Sequence, residues 1–491
     1  MKICNLPQKG TIIFSHREHR GHREINCRLV FKTVQSPIRL PNLVQYYSSL
    51  KNSSILGGGE FNSKRNRYSY FAAEPLEIFE FFSNDKNPFE KLKAVLSKYK
   101  LENRDCHDLL RKSRNDNNQP FTGGWIGFFS YDLNRFIEDI PQVPDDVNLP
   151  LIRLCFYDKV ICFDHLEKCI HLFALELPSE KKCGQEKIIE IENYLSAAAS
   201  VGITPSMKLG ANPADNGFQS NMTKEYYLET IAKTKKNIYD GDVYQINFSQ
   251  RFNSDFNSQP NKLFLWQNKF NPSPYAAYID SGDYQIVSAS PELFININNR
   301  TITTCPIKGT RPRTGDEITD GKNLNELVDN EKEKAELDMI IDLERNDLGR
   351  ICCPGSIKVT ERRAIESFAT VFHAVSTIEG KLKDDVDFAD CLKAIFPGGS
   401  IIGAPKISAM KIINKLEPTA RGLYTGSIGW IDLCGNACLN IAIRTIIIKE
   451  NKAYTQTGGG IVADSDPASE WNETLVKAKA LLAGIKAVEG K

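Results

Sequence analysis

The sequence has no run of apolar residues approaching the roughly 18 needed to cross a bilayer as a helix. It has almost no net charge: 62 Lys and Arg face 61 Asp and Glu. That balance excludes long-range attraction to nucleic acid or to an anionic membrane surface, so neither is expected as a partner. None of the 13 cysteines belongs to a CxxC pair, the spacing of common zinc and redox motifs. Their odd number, their scatter from Cys4 to Cys438 and the adjacency of Cys352 and Cys353 argue against a disulfide framework. They fit a reducing, cytoplasmic setting with most thiols as small core residues. The opening residues, MKICNLPQKGTIIFS, lack the basic, apolar and small-residue succession of a secretory signal. Histidine is scarce, and three of the 7 stand at spacing three in HREHRGHRE. No apolar periodicity makes a helix of that stretch, so it reads as a solvated basic segment rather than a metal site.

What is present is a globular composition, 41% apolar and 25% charged over 491 residues. It suffices for a sizeable core in two to four units or one intertwined fold. No short repeat is found. The clearest break is residues 201–222, rich in Gly, Pro, Asn and Ser, which reads as a linker. It divides a poorly patterned basic segment (1–30) and an N-terminal region (31–200) from a C-terminal catalytic region (223–491).

GGWIGFFSYD has the small-plus-aromatic mix of a buried strand closely approached by another backbone. LCFYDKVICFDHLEKCIHLFAL reads as two strands joined by a turn near Asp164–Lys168. Beyond the linker, Lys224–Tyr239 reads as a helix stopped by Gly241, and VYQINFSQRF as a strand. A meander of short strands follows, then one long helix over Asn323–Asp347, two strands around Asn451 and a closing helix from about Pro467 to Val488. Strands in runs and helices in runs, without strict alternation, predict an α+β fold.

Glu470, Glu473 and Lys477 share one face of the last helix, and Glu333 and Glu336 stand three apart on the long one. Glu336 borders Leu337, Ile340 and Ile341 and is therefore expected to face inward. The spacing admits two readings: solvated helix acids, or two carboxylate pairs converging on a hard divalent cation such as Mg²⁺. Gly458, Gly459 and Gly460 free three amides for an anion, or form a simple turn. Arg444 sits in the apolar stretch IAIRTIII, where strand alternation groups it with Ala442, Ile446 and Ile448. There it needs an anionic partner, either a structural carboxylate or a bound one. His373, a lone His in a strand-like apolar context, reads more often as a satisfied core residue than as a functional one, and Glu292 in SASPELF as a general acid or a strand-end carboxylate. Lys308, in PIKGTRPR, is a surface amine or a confined nucleophile.

The order of these pieces carries more than any one of them. PIKGTRPR, AELDMIIDLERNDLGR, the His373 segment, FPGGSIIGAPK, TGSIGW, IRTIII and GGGIVADSDPASEWNET together resemble the chorismate-utilising enzymes over residues 220–488. That family includes component I of anthranilate synthase and of aminodeoxychorismate synthase, and the isochorismate and salicylate synthases. RYSYFAAEP and GGWIGFFSYD extend the likeness more loosely toward the N-terminus. The resemblance implies two large antiparallel sheets packed as a sandwich, with helices outside. It implies Mg²⁺ held by Glu336 and Glu473, with Glu333 and Glu470 beside them. It further implies chorismate bound by Gly309, Thr310, Tyr424, Arg444, Gly458, Gly459, Gly460 and Lys477, with His373 and Glu292 acting on it.

Within the family, Ala at the Lys308 position (PIAGT) marks the anthranilate-forming branch and Lys (PIKGT) the aminodeoxychorismate-forming one. Members that add water carry Lys where this chain has Gln245, and Gln cannot serve as that base. The resemblance therefore implies a covalent Lys308 intermediate and attack by ammonia. The product would be 4-amino-4-deoxychorismate, a precursor of p-aminobenzoate and folate. No Cys lies in a G-x-C-x-G turn, so a separate glutaminase subunit is expected to supply the ammonia. The nearest alternative is an anthranilate-forming enzyme, which releases pyruvate; a more distant one is a silent scaffold for a glutaminase. Many members hold a tryptophan at a short apolar segment ending in Ser; SSILGGGE has Gly there, which speaks against tryptophan in this chain.

Overall fold

The computed structural model describes residues 25–35, 37–59, 65, 67–101, 119–178, 180–201, 217–368 and 371–490. His16, His19 and His22 lie outside the described residues, as does most of the 201–222 segment.

Two large antiparallel sheets dominate, of 12 and 10 strands. The first runs in the order Gln219–Ser220, Gln245–Asp255, Lys452–Ile461, Thr445–Lys449, Tyr284–Ser290, Tyr275–Asp280, Ser54–Leu56, Tyr68–Ala72, Lys159–Asp164, Cys169–Glu176, Arg28–Val34, with Gly403–Ala404 paired to Gln245–Asp255. The second runs Ile307–Pro312, Val371–Lys381, Thr301–Cys305, Leu293–Asn298, Ala437–Asn440, Ser427–Asp432, Gly124–Phe129, Ile152–Tyr157, Glu77–Phe81, with Lys358–Ser367 also on Val371–Lys381. Both sheets take strands from either side of 201–222.

The sheets face each other through aromatic residues. Tyr70 of the first meets Trp430 of the second edge-on, with ring centroids 6.2 Å apart. Trp125, Phe129 and Phe156 fill the same cluster. On the outer face of the first sheet, Leu43, Leu195, Phe264 and Leu481 bring four helices onto one apolar layer. These helices are Leu40–Tyr47, Gly184–Ser200, Pro260–Phe270 and Pro467–Glu489. The second sheet is covered by Glu331–Ile351 through Leu337 and Ile341 and by Phe388–Ile395 through Leu392.

Caps decide where several helices begin. Thr223 accepts a hydrogen bond from Tyr226 N and starts Lys224–Tyr239, as its sequence predicts. Asp466 does the same for Pro467–Glu489, which Gly490 closes in the left-handed conformation. The single helix expected over Asn323–Asp347 is two, Glu317–Asp329 and Glu331–Ile351. Asn330 leaves helical geometry and its side chain caps the second. The stretch after Ile152 holds three strands, because the chain also breaks at Asp158. Among the described residues ten cysteines are free thiols, most of them buried; Cys434 is disulfide-bonded.

Gly124–Phe129 is buried along its whole length. A Cβ at Gly127 would fall 1.8 Å from the carbonyl oxygen of Arg153 on the neighbouring strand. No rotamer relieves that overlap, since the obstructing atom is backbone. Gly127→Ala is therefore expected to destabilise the fold by about 3 kcal/mol. Urea unfolding followed by tryptophan fluorescence measures it; an unchanged midpoint would contradict the packing described.

Candidate active site

The strand Ile307–Pro312 ends the second sheet's order and carries one residue too many. Ile307 pairs with Val375 and Thr310 with His373, so three steps on one strand oppose two on the other. Such a bulge re-aims the side chains beside it. Gly309 occupies it at φ 91°, and a Cβ there would lie 2.7 Å from Glu333 Oε2. Glycine is thus required both for the backbone and for the approach of the acid.

The residue next to it is Lys308. Its side chain is crowded by protein yet not sealed from solvent. Burial pulls its pKa below the ordinary lysine value, and nearby Lys477 adds to that; Glu336, Glu292 and Glu473 act in the opposite direction but do not win. Among the described residues the Lys308 amine makes no hydrogen bond or ion pair. An amine so placed holds a neutral, nucleophilic fraction that a solvated lysine lacks.

Glu292 is buried, and its pKa is raised by burial, against the pull of Ser400, Lys308, the Ile307 amide and Lys477. Its Oε1 is buried without a hydrogen-bond partner. A carboxyl in this state keeps its proton longer and can deliver it. His373 is buried on Val371–Lys381 and is held neutral. Burial and the Arg444 charge push its pKa down to about 3, against a hydrogen bond with the Gly309 backbone. Thr310 Oγ1 stands 2.8 Å from its Nδ1.

Arg444 departs from expectation. It is not within a strand: Thr445–Lys449 begins one residue later, and Arg444 is left-handed at φ 50°. The alternation with Ala442, Ile446 and Ile448 therefore does not apply. The turn instead sets its guanidinium among His373 and Glu292. It has no ion pair among the described residues, which leaves it free for an anion. Burial lowers its pKa, with Glu292 opposing.

Gly458, Gly459 and Gly460 lie inside the strand Lys452–Ile461, not in a turn. The helix Pro467–Glu489 crosses them. A Cβ at Gly459 would come 3.1 Å from Glu470 Oε2 and 3.4 Å from Glu473 Oε1, so glycine lets both carboxylates rest on the strand. Lys477 Nζ donates to Gly458 O at 2.9 Å and pairs with Glu473 at 2.7 Å. Glu470 is buried, accepts from Ser465 Oγ at 2.6 Å, and its pKa is raised by burial and then by Glu473.

By donor type the four acids suit a hard cation, although among the described residues no three of them bring carboxylate oxygens within 4.8 Å of one another. Glu333 Oε2 is buried and unpartnered although its other oxygen accepts from Arg311 at 3.0 Å. Glu470 and Glu473 repel each other, and Glu336 and Glu473 both act on Lys308. Oxygen donors alone, with excess negative charge, are the donor set Mg²⁺ takes. The predicted residues other than Tyr424 are thus linked by contact or by charge, Glu336 through its charge at Lys308. Tyr424 is buried under Arg421, whose guanidinium lies 5.6 Å from its ring, and is linked to the acids through Tyr227, which is charge-coupled to Glu470, Glu473 and Tyr424.

Other features lie apart from this group. Among the described residues, Asp164, Cys169 and His171 have ligand atoms within 4.8 Å of one another. The Arg67 guanidinium already binds Asp164 at 2.8 Å, and His171, pushed up to about 9, carries a second positive charge there. A cavity of about 80 Å³ between the sheets, lined by Leu56, Tyr70, Tyr275 and Trp430 among others, contains none of the predicted site residues.

Sequence reasoning missed two buried acids, Glu344 and Asp347, on the helix that carries Glu333 and Glu336. Their spacing from Glu336, eight and eleven residues, returns to the same helical face and would have flagged them. Burial, and Asp347 beside it, raise the Glu344 pKa to about 8.

The family described as chorismate binding enzyme matches residues 60–483. Aminodeoxychorismate synthase component 1 of Bacillus subtilis is 39% identical over 374 residues, covering 76% of this chain and 79% of its own. Anthranilate synthase component 1 of Acetivibrio thermocellus is 35% identical over 479 residues, covering 93% and 94%. The crystal structure of anthranilate synthase component I from Streptococcus pneumoniae TIGR4 superimposes with a TM-score of 0.72 at 33% identity, over 86% of this chain and 93% of that one.

The raised Glu344 pKa makes stability depend on pH. The unfolded chain gives up this proton near 4.5 while the native state keeps it to about 8, so the native state loses stability as pH rises through that window and the loss levels off above it. Glu344→Gln removes this contribution. Urea midpoints from pH 5 to 9 should fall less in the variant than in the parent; parallel curves would refute the shift.

Proposed function

The chain belongs to the chorismate-binding enzymes, acting on chorismate in the manner of component I of aminodeoxychorismate and anthranilate synthases, and within that group we propose that it forms 4-amino-4-deoxychorismate from chorismate and ammonia. The observation that carries this reading is the unpaired, pKa-lowered amine of Lys308 beside Glu292 and the acids. An anthranilate-forming site needs no amine at that point.

We assign Glu336 and Glu473, with Glu333 and Glu470 beside them, to a bound Mg²⁺. When bound, the ion supplies positive charge to the ring carboxylate of chorismate and makes the diene more electrophilic. Arg444, Lys477 and the glycine strand meet the substrate carboxylates, with Gly309, Thr310 and Tyr424 at its edges. Neutral Lys308 Nζ bonds to the ring carbon beside the carboxylate-bearing one. The double bonds shift, the ring C–O bond breaks, and the Glu292 proton leaves with that oxygen as water. Ammonia then bonds to the carbon the hydroxyl vacated, and the Lys308 C–N bond breaks to return a neutral amine. The surplus proton on the new ammonium nitrogen passes to solvent as the product leaves, and the Glu292 carboxyl takes one proton back before the next turnover. The sum is chorismate plus ammonia giving aminodeoxychorismate plus water, with the pyruvyl group retained. His373, neutral beside Thr310, keeps a second positive charge away from Arg444 and Lys308.

Free ammonia suffices for this chemistry; a separate glutaminase is the proposed physiological source, in the cytoplasm, and the amine serves p-aminobenzoate and folate synthesis.

Incubation with chorismate, Mg²⁺ and ammonium, with products identified by mass, is expected to give aminodeoxychorismate without pyruvate. Lys308→Ala should lower that rate by on the order of a thousandfold or more while leaving the melting curve in place; pyruvate and anthranilate from the parent enzyme would overturn the assignment.

Glu336→Gln and Glu473→Gln should each raise the Mg²⁺ concentration for half-maximal rate by more than about tenfold. An unaltered Mg²⁺ titration would remove them as ligands.

A further inference from the structure

Behind Glu292, away from the substrate side, lies a second acidic group that the mechanism above does not use. Glu344 and Asp347 are both buried on Glu331–Ile351. Glu344 is eight residues past Glu336, roughly 12 Å along the helix axis at 1.5 Å per residue, and so clear of the proposed metal ligands. Thr304 Oγ1 hydrogen-bonds Glu344 Oε2 at 3.0 Å. The Gly-rich turn of FPGGSIIGAPK stands between Glu344 and Glu292. A Cβ at Gly399 would lie 3.8 Å from Glu344 Oε1, and the next residue, Ser400, turns its buried hydroxyl toward Glu292. Neither that hydroxyl nor Glu292 Oε1 has a closed hydrogen bond in this state. Asp347 Oδ2 accepts from Lys406 Nζ at 2.8 Å, and Lys406 also binds Ile395 O at 2.6 Å. Asp347 Oδ1 is buried without a partner. The Lys406 side chain, 11% exposed, is the end of this row nearest solvent.

We propose that Glu344 is a positioning residue for the general acid, passing a proton through the Ser400 hydroxyl to Glu292 from the side the substrate does not occupy. The inference rests on the reading of Glu292 as the acid that protonates the leaving hydroxyl. Once its proton has left as water, Glu292 is a carboxylate shut in by the substrate. The Glu344 O–H bond breaks and its proton goes to the Ser400 oxygen, while the Ser400 proton goes to Glu292. The Glu344 carboxylate then takes a proton from solvent through the free oxygen of Asp347 at the Lys406 end. The charged and titratable groups facing Glu344 are Asp347 on its own helix, Glu292 across the turn and Lys406 beyond. Asp347 and Glu292 favour its protonated form, and burial favours it most. The site therefore rests with the proton loaded at neutral pH, available to Glu292 before the product nitrogen has lost its own.

The test uses the full chain with chorismate, Mg²⁺ and ammonium from pH 6 to 9.5. Glu344→Gln keeps the size and hydrogen bonds of the neutral acid but cannot pass a proton. It is expected to lower kcat at least tenfold, leave KM for chorismate within twofold, and abolish the decline of kcat above about pH 8 that the parent should show. Glu344→Asp should recover part of kcat. A kcat and pH profile equal to the parent's would overturn the proposal. So would a loss confined to KM and melting temperature and shared by Glu344→Ala, which marks a packing role. A parent enzyme that consumes no chorismate, or a fully active Glu292→Gln, would instead refute the reading on which it rests.

Discussion

Putting a lysine amine among carboxylates ordinarily raises its pKa, and the site depends on the opposite outcome at Lys308. Three acids act on this amine, yet burial outweighs them. The balance holds because none of those acids makes a direct ion pair with it: Glu473 is tied to Lys477, Glu292 is itself biased toward the neutral form, and Glu336 acts from a separate helix. A contact ion pair would have fixed the amine as a cation and ended its nucleophilicity. Desolvation without pairing is thus the condition that the surrounding fold maintains.

The fold meets that condition by keeping the amine and the acids on different elements. Lys308 comes from a bulged strand at the end of one sheet, Glu333 and Glu336 from the helix over it, and Glu470 and Glu473 from a helix lying on the other sheet. Absence of a side chain sets the spacing twice. Gly309 admits Glu333 to the bulge, and Gly459 seats the other acid pair against backbone. The site draws on both sheets, through Ile307–Pro312 at the end of one and Lys452–Ile461 within the other.

Much of this was legible in the chain. Thr223 and Gly241 bracket a helix by capping chemistry that needs no tertiary context, and the acid spacings project onto one face by helical period alone. The failures have physical causes. Asn330 fits a helix interior by pattern, but its side chain does better satisfying the amide of Glu333, and one helix becomes two. IAIRTIII alternates like a strand, yet Arg444 takes a left-handed turn that releases its guanidinium from the apolar face. The triple glycine, equally a turn by composition, stays in the strand because a helix must lie across it. Glu344 escaped notice because burial, not motif, gives it meaning: in the sequence it is one acid among many in LERND.

Overall similarity does not choose between the two reactions, since relatives named for each match this chain about equally well. On the proposed reading, the choice comes down to what fills the space at position 308. With Ala there, the ring carbon next to the carboxylate-bearing one is open to ammonia, and amination at that carbon leads on to loss of pyruvate. With Lys, the side chain would reach that carbon first and exclude ammonia from it. Ammonia is then left the carbon from which the hydroxyl departs. Regiochemistry follows from occupancy: one side chain both activates the ring and blocks the position it attacks. The same argument explains why Gln245 matters although it touches no proton in the scheme. It is buried against Gly460 and offers water no base, so in the proposed scheme the vacated carbon would wait for a nucleophile that needs none.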